Sequence, residues 1–335
     1  MACTMHAGDA VAIKIGYLFR NCPHYLERIP VDVQAVVCVS DGKGGYRRED
    51  LERLAGVNGL IVAGSEPVNE GLLAACPGVK IVQKTGVGYE NFDLEATRRR
   101  GIPCCNLPGV NKVAVAEHAL LLMLALGKRL LEADALTRQA KWAEARALYP
   151  AMIELQEKTL GIVGLGDIGR EVALRARAFG MRIVYHNRTQ LDAQIEQAFT
   201  ARYLQLDELL GASDIVSLHV PISASTRGLI GARALALMKP AARLVCMARG
   251  GVLDEPALRA ALDAGRLAGA AVDVFSAEPI RPDNPLLGAR NIILTAHMGA
   301  SPADTATREM AWSHENLRRV VERGEKPRWV VNGVE

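Results

Sequence analysis

The sequence predicts an α/β protein in which one unit with a parallel sheet is inserted into another. Short apolar runs alternate with helical stretches over the first third of the chain, and the alternation begins again at Thr159 after a long helical block. A last helical stretch, residues 302–323, follows the second alternation. Apolar runs of this kind are typical of strands buried on both faces, as in parallel sheets with helical crossovers.

The individual elements follow from apolar runs bounded by Gly and Pro. In the first unit we expect helices at 48–54 and 69–75 and strands at 13–19, 35–39, 60–63, 80–83 and 102–105. In the second unit we expect strands at 159–163, 182–186, 215–219, 243–247, 269–274 and 292–294. The basic run 98–100 precedes Gly101 and is interpreted as the solvated end of a helix.

Length, charge and cysteine content exclude several classes of protein. A chain of 335 residues is too long for one ordinary core, and a net charge of +3 from 40 basic and 37 acidic residues favours neither nucleic acid nor a membrane surface. Seven cysteines without a CxxC pair predict buried thiols in a reducing compartment, and neither disulfides nor a zinc site. The N-terminus lacks the organisation of a signal peptide, and the longest apolar run, 119–126, is too short to span a membrane. We therefore expect a soluble, cytoplasmic protein.

The helical block between the two units begins near Asn111. It is apolar over 113–126 and continues as an amphipathic pattern over 128–147. A helix this apolar needs cover on more than one face, so we expect a homodimer with its contact in the helical region that starts near Val113.

A glycine-rich turn lies in the middle of the chain. The apolar residues 160–163 run directly into Gly164-Leu165-Gly166-Asp167-Ile168-Gly169, and a helical stretch, 170–179, follows. In this strand–turn–helix context, G-x-G-x-x-G predicts a Rossmann nicotinamide-dinucleotide site. Gly164 permits the turn, Gly166 lets the pyrophosphate approach the backbone, and Gly169 lets helix and strand pack closely. The phosphates then meet the free N–H groups of the helix N-terminus.

The residues after the next strand predict which dinucleotide is bound. Asn187, Arg188 and Thr189 stand where an NAD site usually has a carboxylate for the ribose 2′-hydroxyl, and Asp192 is too far along the chain to replace it. A carboxylate would repel a 2′-phosphate, whereas an arginine would bind it. We therefore predict NADP(H) as the preferred cofactor, with NAD(H) as the alternative.

Three polar residues follow strands of the second unit. Arg249 comes after the strand at 243–247, Glu278 after the strand at 269–274, and His297 after the strand at 292–294. Ligand crevices in open α/β sheets form at the carboxyl ends of strands. We expect the three side chains to belong to one site.

Taken together these stretches resemble the D-isomer-specific 2-hydroxyacid dehydrogenase family. The resemblance runs from Lys80 to about Ala303. It is carried by GVGYENFD (86–93), NLPGVN (106–111), VAEH (115–118), LHVP (218–221), ARGGVLDE (248–255), DVFSAEP (273–279) and HMGAS (297–301), in addition to the glycine turn.

The resemblance implies a Rossmann dinucleotide-binding domain, 109–299, inserted into a flavodoxin-like substrate domain, 1–108 and 300–335. It implies that His297 is the acid/base, that Glu278 orients it, and that Arg249 binds the substrate carboxylate. The backbone of Val87 and Gly88 would also bind the carboxylate, and no metal is expected. The expected cofactor contacts are Gly164, Gly166, Asp167, Ile168, Gly169, Asn187, Arg188, Thr189, His219, Val220, Pro221, Met247, Ala248, Asp273, Gly299 and Ala300.

The sequence departs from the family at two positions. Ala296 stands where the family usually has proline before the histidine, and Cys246 where it tends to have asparagine. The first departure would loosen the backbone, and the second would remove a supporting hydrogen bond. His118, in the apolar helix, is a weak candidate for a role in the site.

The function expected from the resemblance is hydride transfer from NAD(P)H to a small 2-oxo acid such as glyoxylate or hydroxypyruvate, giving the D-2-hydroxy acid. The first alternative is a 3-phosphoglycerate dehydrogenase. The loop expected to face the substrate, Ala63-Gly64-Ser65, has no Arg or Lys to meet a phosphate, and the chain ends soon after its last helix; both observations favour an unphosphorylated substrate. The second alternative is a nucleotide-sensing protein like the C-terminal-binding corepressors, for which the sequence shows no low-complexity tail.

Overall fold

A computed structural model describes residues 13–19 and 23–334 of the chain. These residues form two compact units. One unit runs up to Asn111 and resumes at Pro302, and the other spans Lys112–Ser301. Each contains its own sheet in which every strand pair is parallel, which confirms the predicted α/β class. Two of the seven cysteines, Cys3 and Cys22, lie outside the described residues.

The first unit is built on a sheet of five strands. The strands are β1 (Lys14–Leu18), β2 (Gln34–Cys38), β3 (Gly59–Val62), β4 (Val82–Lys84) and β5 (Cys104–Cys105), and the helices are α1 (Pro23–Leu26), α2 (Arg48–Arg53), α3 (Glu70–Ala75) and α4 (Leu94–Arg99). The strand order β2-β1-β3-β4-β5 is that of flavodoxin-like sheets. The strands have fully buried residues on both faces, among them Ile15 and Leu60, which explains why each strand is a continuous apolar run in the sequence.

The basic run at 98–100 lies at the end of α4, as predicted. Arg98 forms an exposed ion pair with Glu95, and Arg99 and Arg100 both bind Glu70. Each of the three arginines thus has a carboxylate partner within the unit, which agrees with the interpretation of the run as a solvated helix end.

The second unit begins with helices where the sequence predicts a continuous helical block. The helices are α5 (Lys112–Gly127), α6 (Leu130–Arg138) and α7 (Trp142–Arg146), followed by a 3-10 turn at Tyr149–Ala151. The block is helical as predicted, but left-handed backbone at Arg129 (φ +50°) and at Ala140 (φ +57°) divides it into separate helices. Gly127 ends α5, but neither left-handed residue is a glycine, so residue type does not indicate the conformation of Arg129 or Ala140.

The seven-stranded sheet of this unit has the Rossmann strand order with one added strand. Its elements are β6 (Thr159–Val163), α8 (Asp167–Ala178), β7 (Arg182–His186), α9 (Ala193–Phe199), β8 (Ala201–Tyr203), α10 (Leu206–Ala212), β9 (Ile215–Leu218), α11 (Ala232–Leu237), β10 (Arg243–Cys246), α12 (Glu255–Asp263), β11 (Gly269–Val272) and β12 (Ile292–Leu294). The order β12-β11-β10-β9-β6-β7-β8 reverses direction between β6 and β9, which is where such sheets bind ligands. Of the seven strands of this sheet, the short edge strand β8 is the one that the sequence did not predict.

Helix α5 is covered on several sides within its own unit. Ala116, Ala119 and Met123 are fully buried in a core shared with α8, β6, β10 and β11. Its apolar composition is therefore largely explained by internal packing, while Leu121 remains 54% exposed. Among the described helices, none has both the length and the apolar character needed to cross a membrane.

The last helix, α13 (Ala303–Val321), returns to the first unit, where its Leu317 packs closely against Gly59 of β3. A Cβ at Gly59 would lie 2.7 Å from Leu317 Cδ1, so this helix approaches the sheet where a side chain is missing. The five described cysteines (Cys38, Cys76, Cys104, Cys105 and Cys246) are free and buried.

Candidate active site

The glycine turn follows β6 and leads directly into α8. Gly164 has a φ of +101°, in the region that favours glycine, and a Cβ there would lie 2.9 Å from the backbone of His219. A Cβ at Gly169 would lie 2.2 Å from the carbonyl oxygen of Gly164, so α8 can approach the turn only without a side chain. At Gly166 a Cβ would meet nothing within 4 Å, and no side chain caps the helix. The open space and the uncapped helix N-terminus fit the pyrophosphate of a dinucleotide.

The residues after β7 present a cation beside this turn. Asn187 Oδ1 accepts a hydrogen bond of 2.7 Å from the backbone N–H of Leu165 and so holds the turn in place. The side chains of Arg188 and Thr189 are exposed, and no ion pair joins Arg188 to another described residue. The first carboxylate after β7 is Asp192, which directly precedes α9. The end of β7 therefore lacks the carboxylate that favours NAD.

His219, directly after β9, is half-buried, and its ring stays neutral. Burial lowers the pKa of His219 to about 3. Its Nε2 lies 2.8 Å from Ser217 Oγ, and its buried Nδ1 has no hydrogen-bond partner among the described residues. A buried polar atom without a partner is rare in a folded protein, so this nitrogen fits a contact with a bound polar group.

His297 and Glu278 form a direct hydrogen bond. His297 Nδ1 lies 2.7 Å from Glu278 Oε2, while Glu278 Oε1 accepts a hydrogen bond of 2.9 Å from the backbone N–H of Phe275. The bond to Glu278 raises the pKa of His297 above its ordinary value, although burial acts in the opposite direction. Burial alone would raise the pKa of Glu278, but the bond from His297 brings it below its ordinary value. The pair therefore favours an imidazolium beside a carboxylate.

Asp273 holds the backbone that carries His297. His297 has a left-handed φ of +52°, and its N–H donates to the carbonyl of Asp273 at 2.8 Å. The Asp273 carboxylate, only 1% exposed, accepts hydrogen bonds from Thr295 Oγ1 (2.6 Å), Met298 N–H (2.8 Å) and Gly299 N–H (3.0 Å). A left-handed backbone at a residue other than glycine persists where surrounding contacts impose it.

Arg249 lies on the loop after β10, in contact with the loop that carries Glu278. A Cβ at Gly250 would lie 1.9 Å from the carbonyl oxygen of Phe275, so the two loops touch only because Gly250 has no side chain. Arg249 Nη1 donates to the carbonyl of Ala248 at 2.9 Å. The charge of Arg249 opposes the rise in the pKa of His297, so its guanidinium acts on the ring. The structure thus brings together the three side chains expected to form one site.

The other residues predicted as cofactor contacts lie on the same edge of the sheet. Asp167 and Ile168 open α8. The remaining ones follow the carboxyl ends of β9, β10 and β12: Val220, Pro221, Met247, Ala248, Gly299 and Ala300. A Cβ at Gly299 would lie 2.5 Å from Met247 Cε, which shows how closely two of these loops pack.

Val87 and Gly88 lie in the first unit, in the loop that follows β4. Both are half-buried, and Asn106 Nδ2 donates to the carbonyl of Val87 at 2.8 Å. The carbonyl of Gly86, one residue earlier, accepts from Leu107 N–H at 3.0 Å. The loop is therefore held by the chain that follows β5, and its contact with substrate stays a prediction.

The loop Ala63-Gly64-Ser65 itself has no Arg or Lys, as the sequence shows, but a lysine from outside the loop contacts it. Lys84, the last residue of β4, donates from Nζ to the carbonyl of Gly64 and to Asn91 Oδ1 at 3.3 Å. Because β4 pairs with β3, its carboxyl end reaches the loop that follows β3. Because this cation comes from the neighbouring strand, the sequence of the loop does not reveal it.

Glu255 and His118 support the site, although little in the sequence indicates either role. Glu255, 6% exposed, accepts hydrogen bonds of 2.6 Å from Ser276 N–H and from Asn284 Nδ2, which holds the loop before Glu278. His118 Nε2 lies 3.2 Å from Thr295 Oγ1. Two features of the sequence could have indicated these roles. Glu255 is a carboxylate inside the motif at 248–255, and His118 is a histidine inside an otherwise apolar helix.

Comparison with known proteins agrees with this geometry. The family model described as D-isomer specific 2-hydroxyacid dehydrogenase, NAD binding domain, matches residues 120–299. A glyoxylate reductase of Korarchaeum cryptofilum is 39% identical over 285 residues, 84% of this chain and 85% of the relative. A D-3-phosphoglycerate dehydrogenase of Archaeoglobus fulgidus is 38% identical over 260 residues, 77% of this chain but 49% of the relative.

A solved structure is similar over nearly the whole chain. The NADPH-dependent glyoxylate/hydroxypyruvate reductase of Sinorhizobium meliloti, in complex with NADP and malonate, is 30% identical and has a TM-score of 0.80. The alignment covers 96% of this chain and 98% of that one. The chain belongs to the D-isomer-specific 2-hydroxyacid dehydrogenase family. It is an oxidoreductase whose second unit contains the nicotinamide-dinucleotide-binding domain.

Two glycine substitutions in the turn should have different effects, one on cofactor binding and the other on stability. Gly166→Ala should leave the free energy of unfolding within about 1 kcal/mol of wild type, because its φ of −86° suits alanine and its Cβ meets no atom. It should weaken NADPH binding about tenfold or more, because the Cβ takes space that the pyrophosphate needs. Gly169→Ala should instead destabilise the protein by roughly 1–3 kcal/mol, because its Cβ collides with backbone. Denaturant unfolding and fluorescence titration measure the two effects, and wild-type NADPH affinity in Gly166→Ala would contradict the assignment.

Proposed function

We propose that this protein reduces small 2-oxo acids of the glyoxylate and hydroxypyruvate class to D-2-hydroxy acids, with NADP(H) as its preferred cofactor. The observation that carries the proposal is the hydrogen bond of 2.7 Å between His297 and Glu278, within electrostatic reach of Arg249. Reduction of a 2-oxo acid needs a proton donor and a cation for the carboxylate, and this cluster offers both.

His297 acts as the general acid in the direction of reduction. Its Nδ1 is engaged by Glu278, so the proton that reaches the carbonyl oxygen of the substrate comes from Nε2. Bound NADPH supplies the hydride that the carbonyl carbon accepts. Because the Glu278 carboxylate raises the pKa of His297, the acid form is present at higher pH than for a free imidazole. In the oxidation direction the neutral ring takes the hydroxyl proton instead.

Arg249 binds the substrate carboxylate and polarises the adjacent carbonyl. A guanidinium presents a planar pair of N–H donors that matches a carboxylate, which a lysine ammonium does not. Gly250 lets the Arg249 loop lie against the Glu278 loop, so the cation and the acid are held by contacting segments. Val87 and Gly88 remain the predicted backbone contacts for the same carboxylate.

The preference for NADP(H) rests on the residues after β7. Arg188 is exposed and without an ion-pair partner among the described residues, and no carboxylate stands where NAD sites use one. Thr189 adds a hydroxyl beside it. Asn187 contributes indirectly, because its Oδ1 already holds Leu165 of the turn.

One observation favours the alternative substrate, 3-phosphoglycerate. Lys84 lies against Gly64, in the loop predicted to face the substrate, and a phosphate needs a cation there. Its Nζ is already engaged by the Gly64 carbonyl and by Asn91, which argues for a structural role. Several relatives are named glyoxylate reductase, which supports an unphosphorylated substrate.

We also propose that the protein forms a homodimer and is located in the cytoplasm. Large apolar side chains remain exposed in the helical region that starts near Val113, namely Leu121 (54%), Trp142 (65%) and Tyr149 (54%). Exposed large apolar side chains concentrated in one segment support a protein contact there. The five described cysteines are buried as free thiols, which suits a reducing compartment.

A substrate panel tests the proposed reaction. With NADPH, kcat/KM for glyoxylate and hydroxypyruvate should exceed that for 3-phosphohydroxypyruvate by about tenfold or more, since a phosphate finds no uncommitted cation at the loop. The assay follows the loss of reduced-nicotinamide absorbance. A value of kcat/KM in the oxidation direction that is far higher for 3-phosphoglycerate than for glycolate or D-glycerate would make the alternative correct.

The pH dependence of reduction tests the roles of His297 and Glu278. The rate should be constant at low pH and fall as the pH rises through the raised pKa of His297, because only the imidazolium donates a proton. In Glu278→Gln this fall should occur at lower pH, since the main cause of the raised pKa is removed. His297→Asn should lower kcat by about 100-fold or more. NADPH affinity is the control and should stay unchanged, and an unshifted profile in Glu278→Gln would refute the pairing.

Substitution of Arg188 tests the cofactor preference. Arg188→Gln should lower kcat/KM for NADPH by about tenfold or more and change that for NADH little, because only NADPH carries the 2′-phosphate. Arg182→Gln is the matched control, since Arg182 is an exposed arginine at the opposite end of β7. Equal use of NADPH and NADH by the wild type would remove the preference.

A further inference from the structure

Two consecutive peptide groups of the loop after β4 are anchored through their carbonyls. Asn106 Nδ2 donates to the carbonyl of Val87 at 2.8 Å, and the N–H of Leu107 donates to the carbonyl of Gly86 at 3.0 Å. Asn106 and Leu107 are neighbours in the chain that follows β5, so both carbonyls are turned toward the same segment. The loop is therefore held by its acceptors.

The same anchors determine where the donors of these peptide groups point. A peptide group is planar and trans, so its N–H points in the direction opposite to its C=O. The carbonyl of Gly86 shares a peptide group with the N–H of Val87, and the carbonyl of Val87 shares one with the N–H of Gly88. Both N–H groups are consequently directed away from Asn106 and Leu107, and neither donates to another described residue. They belong to the backbone that is predicted to bind the substrate carboxylate.

Asn106 is itself held in a buried network of amides. It is 9% exposed, its N–H donates to the carbonyl of Trp329 at 3.2 Å, and its carbonyl accepts from Gln83 Nε2 at 3.3 Å. Gln83 has no exposed surface, and its Oε1 accepts from Asn316 Nδ2 of α13 at 2.7 Å. Buried amides whose partners are supplied in this way have little freedom to turn. The position of Asn106 is thus set by contacts outside the loop that it holds.

The segment after α13 supplies one of these contacts. Val330 pairs with Cys105 of β5 in an antiparallel bridge, so this segment lies along the edge of the five-stranded sheet. Trp329 has a left-handed φ of +59°, and its ring stacks on that of Trp312 in α13 with 5.6 Å between the ring centroids. These contacts fix the carbonyl that accepts the N–H of Asn106.

We propose that Asn106 is a positioning residue, which aims the N–H of Gly88 at the substrate carboxylate by holding the carbonyl of Val87. This role rests on the proposed function, because the carboxylate is that of the same 2-oxo acids. The carboxylate does not react while hydride and proton are transferred to the neighbouring carbonyl, so its backbone contact stabilises the bound substrate and the transition state equally. Loss of such a contact raises KM and leaves kcat nearly unchanged.

Asn106→Asp tests this role, because a carboxylate has the shape of the amide but no hydrogen to donate to Val87. KM for glyoxylate should rise about tenfold or more, as for a lost hydrogen bond to a charged group, while kcat should stay within about threefold of wild type. NADPH affinity should not change, since the predicted cofactor contacts lie in the second unit. Asn106→Ala also removes the donor but buries no charge, and it should raise KM in the same way if Asn106→Asp does not fold.

Asn332→Asp is the matched control for destabilisation of the first unit. Asn332 is 1% exposed, and its Nδ2 donates to Thr97 Oγ1 at 3.1 Å and to the carbonyl of Ile102 at 2.8 Å. The substitution should lower the free energy of unfolding in denaturant, because both donated bonds are lost. KM for glyoxylate should stay at the wild-type value, since Asn332 holds no part of the loop after β4. An equal rise in KM in Asn332→Asp and Asn106→Asp would overturn the positioning role, because general destabilisation would then explain both.

Binding of oxamate, a 2-oxo acid analogue that is not reduced, separates the positioning role from the proposed function. Calorimetric titration of the NADPH complex should show weaker binding in Asn106→Asp by about the factor that KM changes. Weaker binding of this kind, together with a wild type that reduces no 2-oxo acid, would refute the proposed function and leave the role of Asn106 in place. Turnover by the wild type with an unchanged KM in Asn106→Asp or Asn106→Ala would refute the positioning role alone. A wild type that neither binds oxamate nor reduces glyoxylate would overturn both.

Discussion

The buried carboxylate of Asp273 organises the catalytic edge of the second unit. It accepts hydrogen bonds from Thr295, Met298 and Gly299, and its own carbonyl accepts from the N–H of His297. Removing the carboxylate would leave three donors without this partner, and the buried N–H of Gly299 alone would cost about 1–3 kcal/mol. The left-handed backbone of the histidine, and hence the direction of its ring toward Glu278, depends on these contacts. With three of its four lone pairs engaged, Asp273 can offer a ligand only the remaining one.

Parallel topology explains why chemically different groups meet at this edge without being near in sequence. Each strand ends at the same side of the sheet, so loops separated by many residues become neighbours, and glycines decide how closely they approach. Gly250 allows contact between the loops of Arg249 and Glu278, and Gly299 allows contact with Met247. The same topology collects the amino ends at the far edge, where Arg243 is buried. The two edges of this sheet therefore carry different polar groups.

Much of the fold and of the candidate site could be predicted because their signals are local. Strands buried on both faces are apolar runs, and the glycine turn has a fixed spacing. The failures have non-local causes: β8 is a three-residue edge strand without an apolar run, and Arg129 adopts a left-handed conformation that its residue type does not indicate. Lys84 was missed because its contact with Gly64 is made between adjacent strands. The support that Glu255 gives Ser276 likewise arises only once α12 and the following loop are folded together.

The position of Asn187 links the geometry of the turn to cofactor choice. Its Oδ1 binds the N–H of Leu165, so the chain after β7 is held against the glycine turn by a side chain rather than by the cofactor. A residue used in this way is not available to bind the ribose through the same atom. Under the proposed preference for NADP(H), discrimination between dinucleotides would fall on the next side chain, Arg188, which is exposed. An aspartate at position 187 could still accept the same hydrogen bond, but its charge would then favour NAD. The neutral amide at this position holds the turn without adding the negative charge that would oppose the proposed binding of a 2′-phosphate.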